Sequence, residues 1–328
     1  MTTSSAVESG RFELHPDTIA FLAMLNRPGA PPFHTLALDQ QRSATDKMQF
    51  VFRPAAPDVA DAHQGHMSRP SAAGGPLRFR LYRPLGSTIQ DELPVLLWLH
   101  GGGWTLGNIE SCDVVCRELA NMSGCAVLAL AYRLAPEHPF PAAVNDCFFA
   151  INWIAEHATK LGIDAHQMAV GGDSAGGNLA AVTALRCRDE NGPALAFQLL
   201  IYPSTDQRGI TPSHTRFADG YLLSQESIRF FQQCYLPQAN DYQDWRASPL
   251  LAPTLTGLPP ALVLTASHDP LVDDAHAFAT RLADAGVPVQ RHTYAGMIHG
   301  FFTLGKAFAD ANTAVKEAAT SLRAAFRT

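Results

Sequence analysis

The feature that most constrains the fold is an alternation of short apolar runs with amphipathic stretches, which begins near residue 76. This pattern is typical of a mostly parallel sheet with helices on both faces, because strands buried on both sides carry few polar residues. Seven strands are predicted at residues 76–82, 94–100, 125–132, 167–172, 196–202, 260–266 and 288–294, and an eighth, an edge strand, at 48–53. Helices are predicted at about 112–122, 140–160, 175–190, 272–286 and 306–325. The sequence therefore predicts an α/β fold built on one central, mostly parallel eight-stranded sheet.

Two segments depart from this alternation and are predicted to form a helical cap. Residues 16–47 have the pattern of two amphipathic helices separated by the turn RPGAPP, and residues 214–236 have a helical pattern inserted before the next βα unit. Residues 55–75, rich in Ala, Gly, Pro and Ser, are predicted to be a loop, in which His63 and His66 are solvated residues rather than metal ligands. We expect the cap to cover the carboxyl ends of the strands, where open α/β sheets bind ligands.

Charge and cysteine content exclude several classes of partner and cofactor. The chain has 24 Lys and Arg against 30 Asp and Glu, a net charge of −6, so it lacks the basic field that binds nucleic acid. It has neither a signal-peptide pattern at residues 1–17 nor a run of about 18 apolar residues, which predicts a cytoplasmic protein without stable membrane association. The six cysteines form no CxxC pair and are predicted to be reduced core residues, with no metal site.

The strongest chemical signal is the pentapeptide Gly172-Asp173-Ser174-Ala175-Gly176, which follows an apolar strand and precedes a helix. In a nucleophile elbow the serine lies on a sharp strand-to-helix turn, where side chains two positions away would collide with the chain. Ser174 is therefore the candidate nucleophile, and Asp173 is expected to point away from its hydroxyl and to accept a hydrogen bond. Taken alone, the motif is also compatible with a glycine-rich turn that contains an incidental serine.

The second signal is His100-Gly101-Gly102-Gly103-Trp104, directly after another apolar strand. Successive glycines let backbone N–H groups approach the oxyanion of a tetrahedral intermediate without a Cβ in the way. The predicted donors are Gly101 and Gly102, with the N–H of Ala175 as the third. A phosphate-binding loop is the alternative, but neither GxxxxGK[ST] nor GxGxxG with its acidic residue is present.

A serine nucleophile needs a base, which should lie in the loop after the last strand. His299 in the segment GMIHG has this position, whereas His292 lies within the strand itself. His268 is the alternative base, because it precedes the candidate acid Asp269 directly.

The acid that orients the base should follow the preceding strand, in the chain order Ser, Asp or Glu, His. Asp269 lies in the turn after the strand at 260–266, so it is the predicted acid. Asp273 and Asp274 fall on the next helix, where carboxylates ordinarily interact with the N-terminal turn. The stretch 132–143, which holds Arg133, Glu137 and His138, is predicted to be a rigid turn with a local charge pair.

Five motifs occur together and in order: HGGGW, YRLAPEHPFPAA, GDSAGG, DPLVDD and MIHGF. This set resembles the bacterial hormone-sensitive lipase-like esterases, a carboxylesterase family with the α/β-hydrolase fold, over about residues 15–325. The resemblance implies a serine carboxylesterase for short- to medium-chain acyl esters, without a cofactor and with a helical cap. The family often dimerises, so a homodimer is among the assemblies it implies. Two departures are the Asp at position 274, where the family often has Glu, and the length of the segment 55–75.

The expected organisation is an N-terminal part of the cap at 1–47 and an α/β-hydrolase catalytic domain at 48–328, with a second cap segment at about 207–245. The expected catalytic residues are Ser174, Asp269 and His299, acting on a small-molecule ester. Two alternatives stay open at this point. One is an amidohydrolase of the arylformamidase kind, and the other is a small-molecule binding protein on the same fold.

Overall fold

An eight-stranded sheet forms the centre of the computed structural model, which describes residues 13–25, 29 and 31–326. The strands are β1 (Asp61–Met67), β2 (Leu77–Arg83), β3 (Leu93–Leu99), β4 (Ala126–Ala131), β5 (Ile163–Asp173), β6 (Phe197–Ile201), β7 (Ala261–His268) and β8 (Val289–Ile298). Their order across the sheet is β1-β2-β4-β3-β5-β6-β7-β8. β2 pairs antiparallel with β1 and β4, and the other neighbours are parallel. The predicted mostly parallel eight-stranded sheet is confirmed.

Helices cover both faces of the sheet. Those of the described residues are α1 (Pro16–Leu25), α2 (Leu38–Phe52), α3 (Asp113–Ser123), α4 (Ala142–Glu156), α5 (Ala158–Leu161), α6 (Ala175–Asp189), α7 (Pro212–Arg216), α8 (Gln225–Tyr235), α9 (Val272–Asp284) and α10 (Ala309–Ala325). Apolar residues of α4, α6 and α9 form one buried cluster with the sheet, and those of α3 and α10 form another. α1 adds Phe21 and Leu22 to the second cluster. Burial of apolar surface on both faces is the main source of stability for such a layered fold.

The edge strand predicted at 48–53 is wrong, because these residues continue and end the helix α2. Phe50 is 70% exposed and Val51 is also exposed, so the apolar run that resembled a strand faces solvent. The true edge strand is β1, within the segment 55–75 that was predicted to be a loop. β1 is polar and has a single buried residue, Met67, so it carries no apolar signal. At Gly65 a Cβ would lie 2.5 Å from the Phe79 ring, so this position needs glycine.

The two segments predicted to form a cap are helical. α1 and α2 occupy the first segment, and α7 and α8 occupy the second. The predicted boundary at residue 47 lies inside α2, which runs on to Phe52. Residues 27, 28 and 30 of the predicted turn RPGAPP lie outside the described residues.

Candidate active site

The HGGGW and GDSAG motifs meet at one edge of the sheet. They follow the carboxyl ends of β3 and β5, which are neighbours with Leu99 opposite Gly172. β3 is followed by β4 on one side, and β5 is followed by β6 on the other, so the strand order reverses between them. Open α/β sheets bind ligands at such a reversal, because the two loops diverge and leave a crevice.

Ser174 lies on a strained turn between β5 and α6. Its φ of 56° and ψ of −117° are unusual for a residue with a side chain, and strain of this kind persists where the surrounding structure enforces it. A Cβ on Gly172 would lie 2.3 Å from the carbonyl oxygen of Leu99, and one on Gly176 would lie 1.8 Å from the same oxygen. The two glycines therefore allow the elbow to pack against β3, as the motif predicted.

Ser174, His299 and Asp269 form one chain of hydrogen bonds. His299 Nε2 lies 2.8 Å from Ser174 Oγ, and His299 Nδ1 lies 2.7 Å from Asp269 Oδ2. The other oxygen of Asp269 accepts the N–H of Leu271 at 2.8 Å, and the carboxylate is fully buried. Neutral His299 can thus accept the serine proton at Nε2 while its Nδ1–H donates to the carboxylate.

The other two histidines considered for the base lie in different surroundings. His268 Nδ1 is 2.9 Å from the hydroxyl of its neighbour Ser267. His292 is on the exposed part of β8, with Nδ1 2.7 Å from a Glu317 carboxylate oxygen. The structure brings His299 to the serine within hydrogen-bond distance, and it shows no such contact for His268 or His292 in the described part of the chain.

The carboxylates after Asp269 have a separate role. Asp273 and Asp274 are in the first turn of α9, where they were predicted. Asp274 Oδ2 lies 2.9 Å from Nε2 of the buried His214, so it connects α9 to the helix α7.

The glycine loop has a different set of available donors from the predicted one. The Gly101 N–H donates to Asp173 Oδ1 at 2.9 Å, so it is not available for an oxyanion. The N–H groups of Gly102, Gly103 and Ala175 donate no hydrogen bond within residues 13–25, 29 and 31–326. The structure therefore differs from the prediction at Gly101, whose N–H is bonded to the residue before the candidate nucleophile, and it leaves the Gly103 N–H available instead.

Each available N–H of the loop shares a peptide plane with a hydrogen-bonded carbonyl. The Gly102 N–H belongs to the plane of the Gly101 carbonyl, whose oxygen lies 2.8 Å from His100 Nδ1. The Gly103 N–H belongs to the plane of the Gly102 carbonyl, which accepts the N–H of Leu106 at 2.8 Å. Burial lowers the pKa of His100 to about 4, so its ring stays neutral and can donate from Nδ1. Donors fixed in advance stabilise a developing charge without reorganisation.

Asp173 is buried beside the candidate nucleophile and points away from its hydroxyl, toward Gly101. Loss of solvation raises the pKa of Asp173 to about 6, against the lowering effects of the Gly101 N–H and of His299. The carboxylate is thus an acceptor for the glycine loop, in the role that the sequence predicted for it.

The helix α8 packs on the same loop. The Trp104 and Tyr235 rings stack with centroids 4.5 Å apart and an interplanar angle of 3°. A Cβ on Gly103, where φ is 57°, would lie 2.4 Å from the Phe231 ring. Trp104 is buried in this contact, which joins α8 to the loop.

A cavity of about 1040 Å³ opens above Ser174 and His299. Its volume is at the upper end of the range for small-molecule sites. α1, α2 and the segment that contains α8 contribute apolar side chains to its wall, including Leu22, Leu25, Met48, Leu222 and Phe231. Both helical segments therefore line the cavity that contains Ser174 and His299.

Tyr202 is a site residue that sequence reasoning missed. It follows β6 with a φ of 32°, and its ring centroid lies 4.7 Å from that of His299. The preceding carbonyl, that of Ile201, accepts the N–H of Ser174 at 2.8 Å. The end of β6 thus contacts both the serine elbow and the imidazole. A single tyrosine after an apolar strand carries no signal of this role.

The charged side chains Arg133 and Glu137 of the predicted turn do not pair with each other. Arg133 pairs with the buried Asp146 at 2.7 Å, whereas Glu137 pairs with Arg42 of α2 at 2.7 Å. Both arginines attach the turn 132–143 to more distant parts of the chain.

Three further observations concern cofactors, cysteines and membranes. The described residues contain no group of three or more His, Cys, Asp or Glu that could hold a metal ion. All six cysteines are unpaired, five are buried and Cys234 is partly exposed. Among the described helices, none has the length and apolar character needed to cross a membrane.

Comparisons with known proteins agree with this fold. A family model described as the alpha/beta hydrolase fold matches residues 96–303. The carboxylesterase NlhH of Mycobacterium tuberculosis is 43% identical over 225 residues, 68% of this chain and 70% of NlhH. The ethyl acetate hydrolase of Pseudomonas putida is 37% identical over 306 residues, 91% of this chain and 95% of that enzyme. An ester hydrolase from the metagenome of Lake Arreo, solved with a bipyridine phosphonate derivative, superposes with a TM-score of 0.92 at 45% identity, over 96% of this chain and 100% of that one.

Fold and site together define an α/β hydrolase. The chain belongs to the family of hormone-sensitive lipase-like esterases, and it is a carboxylic-ester hydrolase.

Proposed function

We propose that the chain hydrolyses short- to medium-chain acyl esters through an acyl-enzyme formed on Ser174. The observation that carries this proposal is the continuous chain of short contacts from Ser174 Oγ through His299 to Asp269. Nucleophile, base and orienting acid within hydrogen-bond reach are the signature of an activated serine.

In the first half of the reaction His299 Nε2 takes the Ser174 proton while Oγ attacks the ester carbonyl carbon. The tetrahedral oxyanion is held by the N–H groups of Gly102, Gly103 and Ala175. His299 then protonates the departing alcohol as the C–O bond breaks, which leaves the acyl group on Ser174. Asp269 orients the imidazole and stabilises its positive charge.

In the second half a water molecule gives its proton to His299 and attacks the acyl carbonyl carbon. The tetrahedral intermediate again places its oxyanion against the same three N–H groups. Collapse of this intermediate breaks the bond to Ser174 Oγ, which regains its proton from His299, and releases the carboxylic acid.

The substrate class is argued from the cavity. Its apolar wall favours neutral acyl chains, and its volume of about 1040 Å³ limits their length. We propose that α1 and α2 together with the second segment, α7 and α8, act as a cap that closes this cavity over the strands. The ethyl acetate hydrolase named above is consistent with a short acyl group.

Labelling with an aryl phosphonate tests the nucleophile, and the Lake Arreo enzyme was solved with a phosphonate derivative. Intact-mass analysis should show one phosphonyl group for each chain, and peptide mapping should place it on Ser174. Labelling of another residue, or equal labelling of the Ser174→Ala variant, would contradict the proposal. Rates for aryl esters from acetate to palmitate should be highest among the short and medium chains, and a preference for palmitate would contradict the substrate class.

A further inference from the structure

We propose that Arg42, on the cap helix α2, is a positioning residue for the glycine loop. The proposal rests on the function proposed above, in which that loop supplies N–H donors to the oxyanion. It adds that the N-terminal part of the cap contributes to the rate of the chemical step itself, and not only to the shape of the cavity.

The Arg42 guanidinium binds three partners on two separate loops. Its Nε donates to the carbonyl oxygen of Thr105 at 3.0 Å, and Nη2 lies 3.3 Å from the carbonyl oxygen of Ala135. Nη1 and Nη2 also donate to the two carboxylate oxygens of Glu137 at 2.7 and 2.8 Å. Such a two-point contact fixes the plane of the guanidinium, which a lysine cannot reproduce.

The bond to Thr105 leads directly to an oxyanion donor. Thr105 donates its N–H to the Gly102 carbonyl at 3.1 Å, and its hydroxyl donates to the Gly103 carbonyl at 3.0 Å. The Gly102 carbonyl shares its peptide plane with the Gly103 N–H. Fixing the Thr105 carbonyl from outside therefore restrains the turn that orients this donor.

The ion pair between Arg42 and Glu137 persists over a wide pH range. The hydrogen bonds from Arg42 lower the pKa of Glu137 to about 2, so the carboxylate stays ionised. The Arg42 side chain is 32% exposed and that of Glu137 is 51% exposed. Exposed ion pairs contribute little to stability. The arrangement is thus better explained by orientation of the loop than by stability.

Helix α2 does not depend on Arg42 alone for its attachment. Asp46 accepts a hydrogen bond from Asn108 at 3.0 Å, and Gln49 donates to Thr303 at 3.0 Å. Arg53 at the end of the helix donates to the Glu110 carbonyl at 3.2 Å. A variant at position 42 should therefore keep the helix in place while it releases the Thr105 carbonyl.

The test compares Arg42→Ala and Arg42→Lys with the matched control Arg53→Ala, on a short acetate ester and a hexanoate ester. We expect Arg42→Ala to lower kcat about tenfold to a hundredfold on both esters with little change in KM, because a small misplacement of a catalytic group has this effect. Arg42→Lys should show a smaller loss of kcat than Arg42→Ala. Its ammonium can pair with Glu137, but it cannot reproduce the two-point contact of the guanidinium. Arg53→Ala should behave like the wild type.

A trifluoromethyl ketone supplies an independent readout, because it forms an oxyanion on the serine without a leaving group. Its Ki should rise in Arg42→Ala by the same factor as kcat/KM falls, while the pH profile of kcat/KM keeps its midpoint. Unchanged kcat on the acetate ester, or a loss confined to the hexanoate ester, would overturn the proposal and leave Arg42 as part of the cavity wall. If Arg42→Ala does not fold, the lysine variant decides in the same way. Turnover by Ser174→Ala would instead overturn the proposed function.

Discussion

The N–H of Gly101 donates to the carboxylate of Asp173 at 2.9 Å, so the residue before the candidate nucleophile holds the first glycine of the loop opposite. The bond connects the loop after β3 with the elbow after β5 across the point where the strand order reverses. It also removes one N–H from the set that can face an oxyanion. The spacing between the two motifs at the site is therefore fixed by a hydrogen bond from backbone to side chain.

Burial of the Asp173 carboxylate predicts a pH-dependent stability. Its pKa is about 6 in the folded protein, against about 3.9 for an unperturbed Asp in the unfolded chain. Between these values the folded state binds the extra proton, so the free energy of unfolding falls as pH rises from about 4 to 6. Protonated Asp173 contributes on the order of 3 kcal/mol to the free energy of unfolding at low pH, and this contribution is fully lost above pH 6.

The Asp173→Asn variant isolates this contribution, because an amide oxygen can still accept the Gly101 N–H. Denaturant unfolding at pH 4.5 and pH 8 should show a smaller loss of stability with rising pH in the variant than in the wild type. If the free energy of unfolding depended on pH equally in the two proteins, ionisation of the Asp173 carboxylate would not destabilise the folded state, which would contradict the prediction.

Gly102→Ala should abolish most activity. Gly102 has a φ of 119°, and an added Cβ would lie 2.3 Å from the Leu106 carbonyl oxygen, so the loop must shift. Loss of one oxyanion donor lowers kcat by about 10² to 10³. The matched control is Gly286→Ala, with a φ of 80° and open space around the added Cβ. The control should lose about 1 kcal/mol of stability and keep its kcat, as measured by unfolding and ester turnover. A kcat near that of the wild type in Gly102→Ala would exclude this loop from the chemistry.

Mutation can test directly whether His299 or His268 is the catalytic base. His299→Ala should lose nearly all turnover, because no other imidazole of the described residues contacts Ser174. His268→Ala should keep most of its activity, since its ring nitrogen is directed to Ser267. Steady-state rates on one aryl ester decide the matter, with circular dichroism as the check on folding. Inactive His268→Ala beside active His299→Ala would reverse the assignment.

The order of motifs along the chain was sufficient to predict which residues meet at the site. Ser174, Asp269 and His299 each follow a strand of the parallel sheet, and the carboxyl ends of parallel strands lie at one edge. Their proximity therefore depends on topology, which the apolar pattern reveals. The apolar pattern did not reveal the edge strand β1, because the residues of β1 are mostly polar. Its Gly65 lies against the Phe79 ring, a contact that leaves no apolar repeat in the sequence.

Contacts between distant side chains and backbone could not be predicted. The bond from Gly101 to Asp173 spans 72 positions and that from Arg42 to Thr105 spans 63, and neither has a local sequence signature. For this reason the hydrogen bond that occupies the Gly101 N–H could not be foreseen. In three successive glycines, several pairs of N–H groups could face an oxyanion. Only the hydrogen-bond partners seen in the structure show which N–H groups are already occupied.

The turnover of Ser174→Ala tests the central claim most directly. Alanine keeps the elbow and its backbone N–H groups, so the variant should fold like the wild type and retain the cavity. Removal of the nucleophile should lower kcat on an aryl ester by about 10⁴ to 10⁶. Activity above about a hundredth of the wild-type rate, in a preparation free of the wild-type enzyme, would contradict an acyl-enzyme on Ser174.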